Sequence, residues 1–183
     1  MDIKPIETYY NGYRFRSRAE ARWAVFFDAA GISYQYEPEG LKLSDGTLYL
    51  PDFYLPDCDT WFEVKGVLEK SDAHKIDQLM HDTGRPVVIG YADMKFDACD
   101  NWEDGFTRAG ADCSILCRCN KCGKLWFMGG TGYFECLNCG YYDGDGGFDE
   151  ILYGDLADPF CKGAPFALQK ARQARFEHKE APR

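Results

Sequence analysis

The sequence predicts an α/β domain, a mixed sheet covered by helices, with a small cysteine-rich module behind it. Three observations carry this. Residues 17–30 and Ser71 to about Thr83 read as helices, while 33–37, 48–55, 60–66 and 86–91 read as strands. Their order (helix, three strands, helix, strand) is that of a layered α/β unit. Five of the nine cysteines (Cys117, Cys119, Cys122, Cys136 and Cys139) then crowd into one short segment, which in a cytosolic chain points to metal rather than disulfides.

Each element has a local signal. Ser17 is a candidate N-cap for the first helix, with Glu20 three residues on and Gly31 just past its end. Asp45-Gly46 reads as a hairpin turn between strand-like runs. Gly84 and Pro86 stop the second helix, and PVVIGY reads as a buried strand. Residues 92–112 are acidic and contain glycine, as a connector would be. A further helix is expected from about Ala164 to Glu177. The expected organisation is a core over 1–91, a connector over 92–116, a cysteine module over 117–153 and a basic tail or helix over 154–183.

With 183 residues, 45% hydrophobic and 16% aromatic, the chain is long enough for one real core plus a small satellite. No run of eighteen apolar residues is present, and MDIKPIETYYNGYRFRSR lacks the apolar segment of a signal peptide. The expectation is a soluble cytoplasmic protein with no membrane partner. The net charge of −9 argues against a strongly basic nucleic-acid binder, but it is unevenly spread. Residues 91–160 carry five basic and thirteen acidic side chains, whereas 161–183 carry six basic and two acidic.

The chemistry concentrates on TWFEVKG. Side chains alternate along a strand, so Glu63 and Lys65 share one face while Phe62 and Val64 take the other. Upstream, Asp52 interrupts an apolar run after Pro51. A lone carboxylate there is costly unless something pairs with it. If adjacent strands set Asp52 beside Glu63, the two repel unless a cation lies between them. Hard oxygen ligands of this kind suit Mg2+ or Mn2+, which would activate water and polarise a phosphodiester. Lys65 would orient that water or stabilise charge on phosphate. Glu20 shares a helix face with Trp23, Ala24 and Phe27, and it also fits a capping box with Ser17.

Glu20 on the first helix, then Pro51-Asp52, then Glu63-Val64-Lys65, resembles the PD-(D/E)XK pattern of restriction-endonuclease-like nucleases. The runs YNGYRFRSRAEARWAVFFD, YEPEG, YLPDFYLP and WFEVKG look like small nucleases of phages and bacteria, over roughly residues 9–91. The resemblance implies a restriction-endonuclease-like core and a DNA endonuclease activity. It implies Mg2+ held by Asp52, Glu63 and Glu20, and Lys65 as the catalytic lysine. It also implies a lesser polar role for Gln78. The alternative is an inactive relative that grips a protein or nucleic-acid partner.

Cys119-Asn120-Lys121-Cys122-Gly123 and Cys136-Leu137-Asn138-Cys139-Gly140 form two CxxCG knuckles, the spacing of a tetrahedral, four-cysteine zinc ribbon. With no open coordination position such a zinc is structural. Cys117 is a candidate substitute ligand. Candidates for nucleic-acid contact are Arg16, Arg18, Lys121, Lys124, Lys170, Arg172 and Arg175.

Overall fold

The computed structural model describes residues 5–99, 113–129, 133–136, 138–145, 150–153 and 165–176. The first half runs β1 (Thr8–Tyr10), β2 (Tyr13–Phe15), α1 (Arg18–Ala30), β3 (Gln35–Tyr36), β4 (Leu41–Lys42), β5 (Leu48–Tyr49), β6 (Phe53–Leu55) and β7 (Thr60–Lys65). There follow α2 (Lys70–Thr83), β8 (Val87–Tyr91), β9 (Phe96–Cys99), β10 (Cys113–Arg118) and β11 (Leu125–Gly129). The last described elements are β12 (Tyr133–Glu135), β13 (Tyr142–Asp145), β14 (Glu150–Tyr153) and α3 (Pro165–Gln173).

The caps work as the sequence predicts. Ser17 Oγ accepts the N–H of Glu20 at 3.1 Å, and Gly31 ends α1 at φ 64°, a left-handed conformation that side chains with a Cβ resist. Helix α2 starts a residue earlier than expected, because Glu69 caps it and the Asp72 carboxylate accepts the Glu69 N–H at 3.2 Å.

A five-stranded sheet in the order β3-β6-β7-β8-β9 lies at the centre. Strands β7 and β8 are parallel, with α2 as the crossover such a pair requires, and the other pairs are antiparallel. Both faces are covered. Phe53, Leu55, Phe62 and Val88 meet Trp23, Phe26 and Phe27 of α1, while Trp61, Val87 and Ile89 meet Ile76, Leu79 and Met80 of α2. Alternation along β7 thus sends successive side chains into two different cores.

Three expectations need correction. The run 48–55 is not one strand: β5 pairs with β4 in a hairpin across Asp45-Gly46, whereas β6 belongs to the main sheet. Pro51, which has no N–H to give a ladder, stands at the break. Asp52 therefore sits at a bend leading into β6, not inside a strand. The sheet does not end at residue 91, since Phe96–Cys99 adds an edge strand through Gly90↔Phe96. Finally, the expected C-terminal helix forms but is not separate from the core over 1–91: Ala167, Leu168, Ala171 and Ala174 of the α3 region are buried in the same core as α1. Lys170, Arg172 and Arg175 lie on its exposed face. Among the described residues no helix is long and apolar enough to cross a membrane.

Gly90 is where the packing is tightest. A Cβ there would lie 2.5 Å from Phe62 Cζ and 2.8 Å from Trp23 Cε2, and both rings are fully buried. Neither ring has room to retreat. Gly90→Ala should therefore cost about 2–3 kcal/mol, near the top of the usual range for overpacking, measured as a shift of the urea midpoint. An unchanged midpoint would contradict this packing.

Candidate functional site

The site grows out of one junction. Glu63 and Lys65 project from β7 on the face that carries Trp61, and Asp52 enters from the bend before β6, whose Phe53 pairs with Phe62. Asp52 Oδ2 accepts the Val64 N–H at 2.8 Å, and Glu63 Oε1 accepts the Asp52 N–H at 3.2 Å. Each carboxylate is thus fixed by a backbone N–H of the other's segment. Glu63 Oε2 takes two further donors, Lys65 Nζ at 2.9 Å and Tyr49 Oη at 2.7 Å.

Glu20 arrives from the first turn of α1. Its Oε1 accepts from Ser17 Oγ at 2.7 Å, and its Oε2 accepts from the Arg16 N–H at 3.0 Å and Tyr36 Oη at 2.7 Å. Arg16 joins Glu20 to the rest: its guanidinium pairs with Glu37 and lies 3.7 Å from Asp52 Oδ1. Glu20, Asp52 and Glu63 are 7%, 8% and 1% exposed, and they are the buried charged side chains among the described residues. The sequence singled out these same three.

Burial raises the Asp52 carboxyl to about 8, and repulsion from Glu63 adds to it, against the pull of Lys65 and the Val64 N–H. Lys65 is pulled down by burial, but the carboxylates of Glu63 and Asp52 outweigh this and hold it above its ordinary value. Burial and Glu63 together push the Tyr49 phenol far up, so Tyr49 acts only as a donor.

A proton and a cation would therefore compete for Asp52. The folded-state value lies above the unfolded one, so the metal-free protein loses stability as pH rises through the interval from about 4 to about 8. A divalent ion bound there would require the ionised form and would displace the proton below about 8. If Mg2+ is that ion, the rise in melting temperature it causes should grow between about pH 6 and 8 and then level off. A shift independent of pH would show that Asp52 is not involved.

The second cluster is made by two turns of the same build. Cys119 N–H bonds Lys124 O and Gly123 N–H bonds Cys119 O; likewise Cys136 N–H bonds Tyr141 O and Gly140 N–H bonds Cys136 O. Gly123 and Gly140 take φ 74° and 65°, which lets each turn close. The sulfurs of Cys119, Cys122, Cys136 and Cys139 lie within 4.8 Å of one another, with Cys119–Cys139 at 3.8 Å and Cys122–Cys136 at 3.6 Å. Four sulfurs about 2.3 Å from a tetrahedral zinc would stand roughly 3.8 Å apart. A disulfide would need about 2.05 Å. The four thiols could hold a zinc ion. Hydrogen bonds from the Lys124 N–H and the Asn138 amide lower Cys122 to about 6, favouring the thiolate that zinc takes. Cys117 is buried beside Cys119 and Cys136 but is not one of the four.

The module is docked rather than tethered. Arg118 donates to Ala30 O and Gly31 O, both at 3.2 Å, at the C-terminus of α1. Leu116 and Leu125 lie in the main core, and the Phe127 ring stands 5.2 Å from that of Phe96.

Other expectations fall away from the site. Gln78 is half-buried on α2 and donates to Ser44 Oγ at 2.8 Å, a strut for the β4–β5 hairpin. Lys124 sits over the Trp126 ring at 5.8 Å; Arg18 and Lys121 are exposed. Sequence reasoning missed Tyr49, Tyr36 and Glu37. None stands out in the sequence, because each acts through a fold that brings distant segments together. No family model, curated protein or solved structure matches this chain.

Proposed function

We propose that the chain is a metal-dependent endonuclease that hydrolyses DNA phosphodiester bonds, with a restriction-endonuclease-like core and a structural zinc ribbon. The observation that carries this reading is the convergence of three buried carboxylates and one half-buried lysine at the strand junction. Structure alone gives little reason to bury three carboxylates together, since each costs several kcal/mol of desolvation. A divalent cation removes that penalty, and hard oxygens are its preferred ligands. Asp52 and Glu63 would hold it, and Glu20 would complete the set. Once bound, the ion supplies Lewis acidity toward a phosphate oxygen and a lower pKa for water. Lys65, held by Glu63 at 2.9 Å, presents an ammonium to the attacking water or to the charge developing on phosphate. Zinc in the four-cysteine cluster would have every position filled by sulfur and so would take no part in the reaction.

The assay is direct: plasmid, linear duplex and single-stranded DNA are incubated with zinc-loaded protein in Mg2+, Mn2+ or EDTA. Cleavage in Mg2+ or Mn2+ and none in EDTA is the expected result. Binding of DNA with no cleavage would instead identify a gripping protein on the same scaffold.

Glu20 serves both as a cap partner and as a candidate ligand, and Glu20→Gln separates the two roles. The Gln oxygen can still accept from the Arg16 N–H and Tyr36 Oη, and its NH2 can donate to Ser17 Oγ, which keeps the cap but removes the anionic charge. Melting temperature should stay within a few degrees, while cleavage falls at least about tenfold or demands more Mg2+. Unchanged cleavage at every Mg2+ concentration would leave capping as its whole role.

A further inference from the structure

Arg16 does more in this site than pair two surface charges. Its guanidinium is anchored on Glu37 and only leans on Asp52 Oδ1, at 3.7 Å, while its side chain remains 56% exposed. Asp52 Oδ2 is committed to the Val64 N–H, so Oδ1 is the oxygen left for a cation. Glu37 is itself held in an unusual way. Its backbone takes φ 44°, a left-handed conformation that is strained for a residue with a Cβ and further disfavoured before Pro38. The Glu37 N–H donates to Asp52 O at 2.9 Å, which fixes this strained residue against the metal-ligand segment. Strain kept at such a point marks a placement the fold maintains. Its effect is to hold the Arg16 fork at the rim of the carboxylate cluster.

Resting on the nuclease reading above, we propose that Arg16 stands in for the metal in the metal-free site and becomes the phosphate clamp in the loaded one. Without a divalent ion, its guanidinium is the cationic group set against Asp52 Oδ1, at 3.7 Å. When the ion takes Asp52 Oδ1, like-charge repulsion releases Arg16 from that oxygen. Still tethered by Glu37, it then presents its N–H fork to a non-bridging oxygen of the phosphate that meets the metal. A guanidinium suits this because it binds a tetrahedral oxyanion through two parallel hydrogen bonds. Arg16 therefore opposes metal binding and favours substrate binding.

Opposite effects in one variant test this. Arg16→Gln keeps the backbone N–H that Glu20 accepts and removes only the charge and the fork. Mn2+ affinity without DNA, read by electron paramagnetic resonance, should rise about threefold to tenfold. KM for DNA cleavage should rise about tenfold or more. Arg16→Lys, which keeps the charge but loses the fork, should bind Mn2+ like wild type and still raise KM. Mn2+ affinity and cleavage both unchanged in Arg16→Gln would overturn the role of Arg16 alone, leaving a plain surface ion pair. Parallel loss of both, with a lower melting temperature, would overturn it in favour of a structural role. Wild-type protein that binds no Mn2+ would overturn the nuclease reading and this one with it.

Discussion

Asp52→Asn and Glu63→Gln should each lower Mg2+-dependent cleavage at least about a thousandfold, roughly 4 kcal/mol of barrier, in a protein that still folds. Each change removes one anionic ligand and leaves shape intact. In Asp52→Asn the amide oxygen would still accept the Val64 N–H, which the carboxylate accepts at 2.8 Å. Asp52→Asn has a second effect of opposite sign. It removes a charge that burial and Glu63 both disfavour, so the metal-free variant should melt no lower than wild type and should melt higher near pH 8. Lost activity together with raised stability is the mark of a functional carboxylate rather than a structural one. Lys65→Ala should cost about a hundredfold, and it leaves Tyr49 as the remaining side-chain donor to Glu63. Cleavage within a few-fold of wild type in any two of these variants would sink the assignment.

The next largest effect concerns zinc. Cys119→Ser or Cys136→Ser should remove the one tightly held zinc per chain, read by elemental analysis. Because binding of such an ion is coupled to folding, melting should fall by at least about 10 °C. Two CxxCG turns taken alone would confine the loss to the cysteine module, with residues 9–91 persisting. The structure predicts a wider effect. Leu116 and Leu125 are buried with Trp23 and Phe62, and Arg118 caps the carbonyls of Ala30 and Gly31. Hydrogen exchange should therefore accelerate at the C-terminal end of α1 as well as in the cysteine module. Intact protein lacking zinc and carrying Cys119–Cys139 or Cys122–Cys136 disulfides would overturn the metal assignment.

What was legible in the sequence was local. Ser17, Glu20 and Gly31 set the ends of α1, and alternation along Thr60–Lys65 correctly placed Glu63 and Lys65 with Trp61. The CxxCG spacing located four sulfurs that do converge. What was not legible depends on pairings between distant segments. Pro51 splits the 48–55 run, but only the fold shows that β5 turns aside and brings the Tyr49 hydroxyl onto Glu63. Residues 92–99 read as a polar connector, yet Phe96 finds a place against β8 and near Phe127. Arg16 was legible as a candidate nucleic-acid contact, but only the fold sets it between Glu37 and Asp52.

The account turns on whether the buried carboxylates are a divalent-cation site. Crystals of the zinc-loaded protein soaked in Mn2+ test this most directly, through the anomalous signal collected near the manganese edge. The account predicts a peak about 2.1 Å from carboxylate oxygens of both Asp52 and Glu63, with the Arg16 guanidinium displaced from Asp52. A cluster without such a peak, with Lys65 and Tyr49 still bonded to Glu63 while Mn2+ occupies other sites, would contradict it.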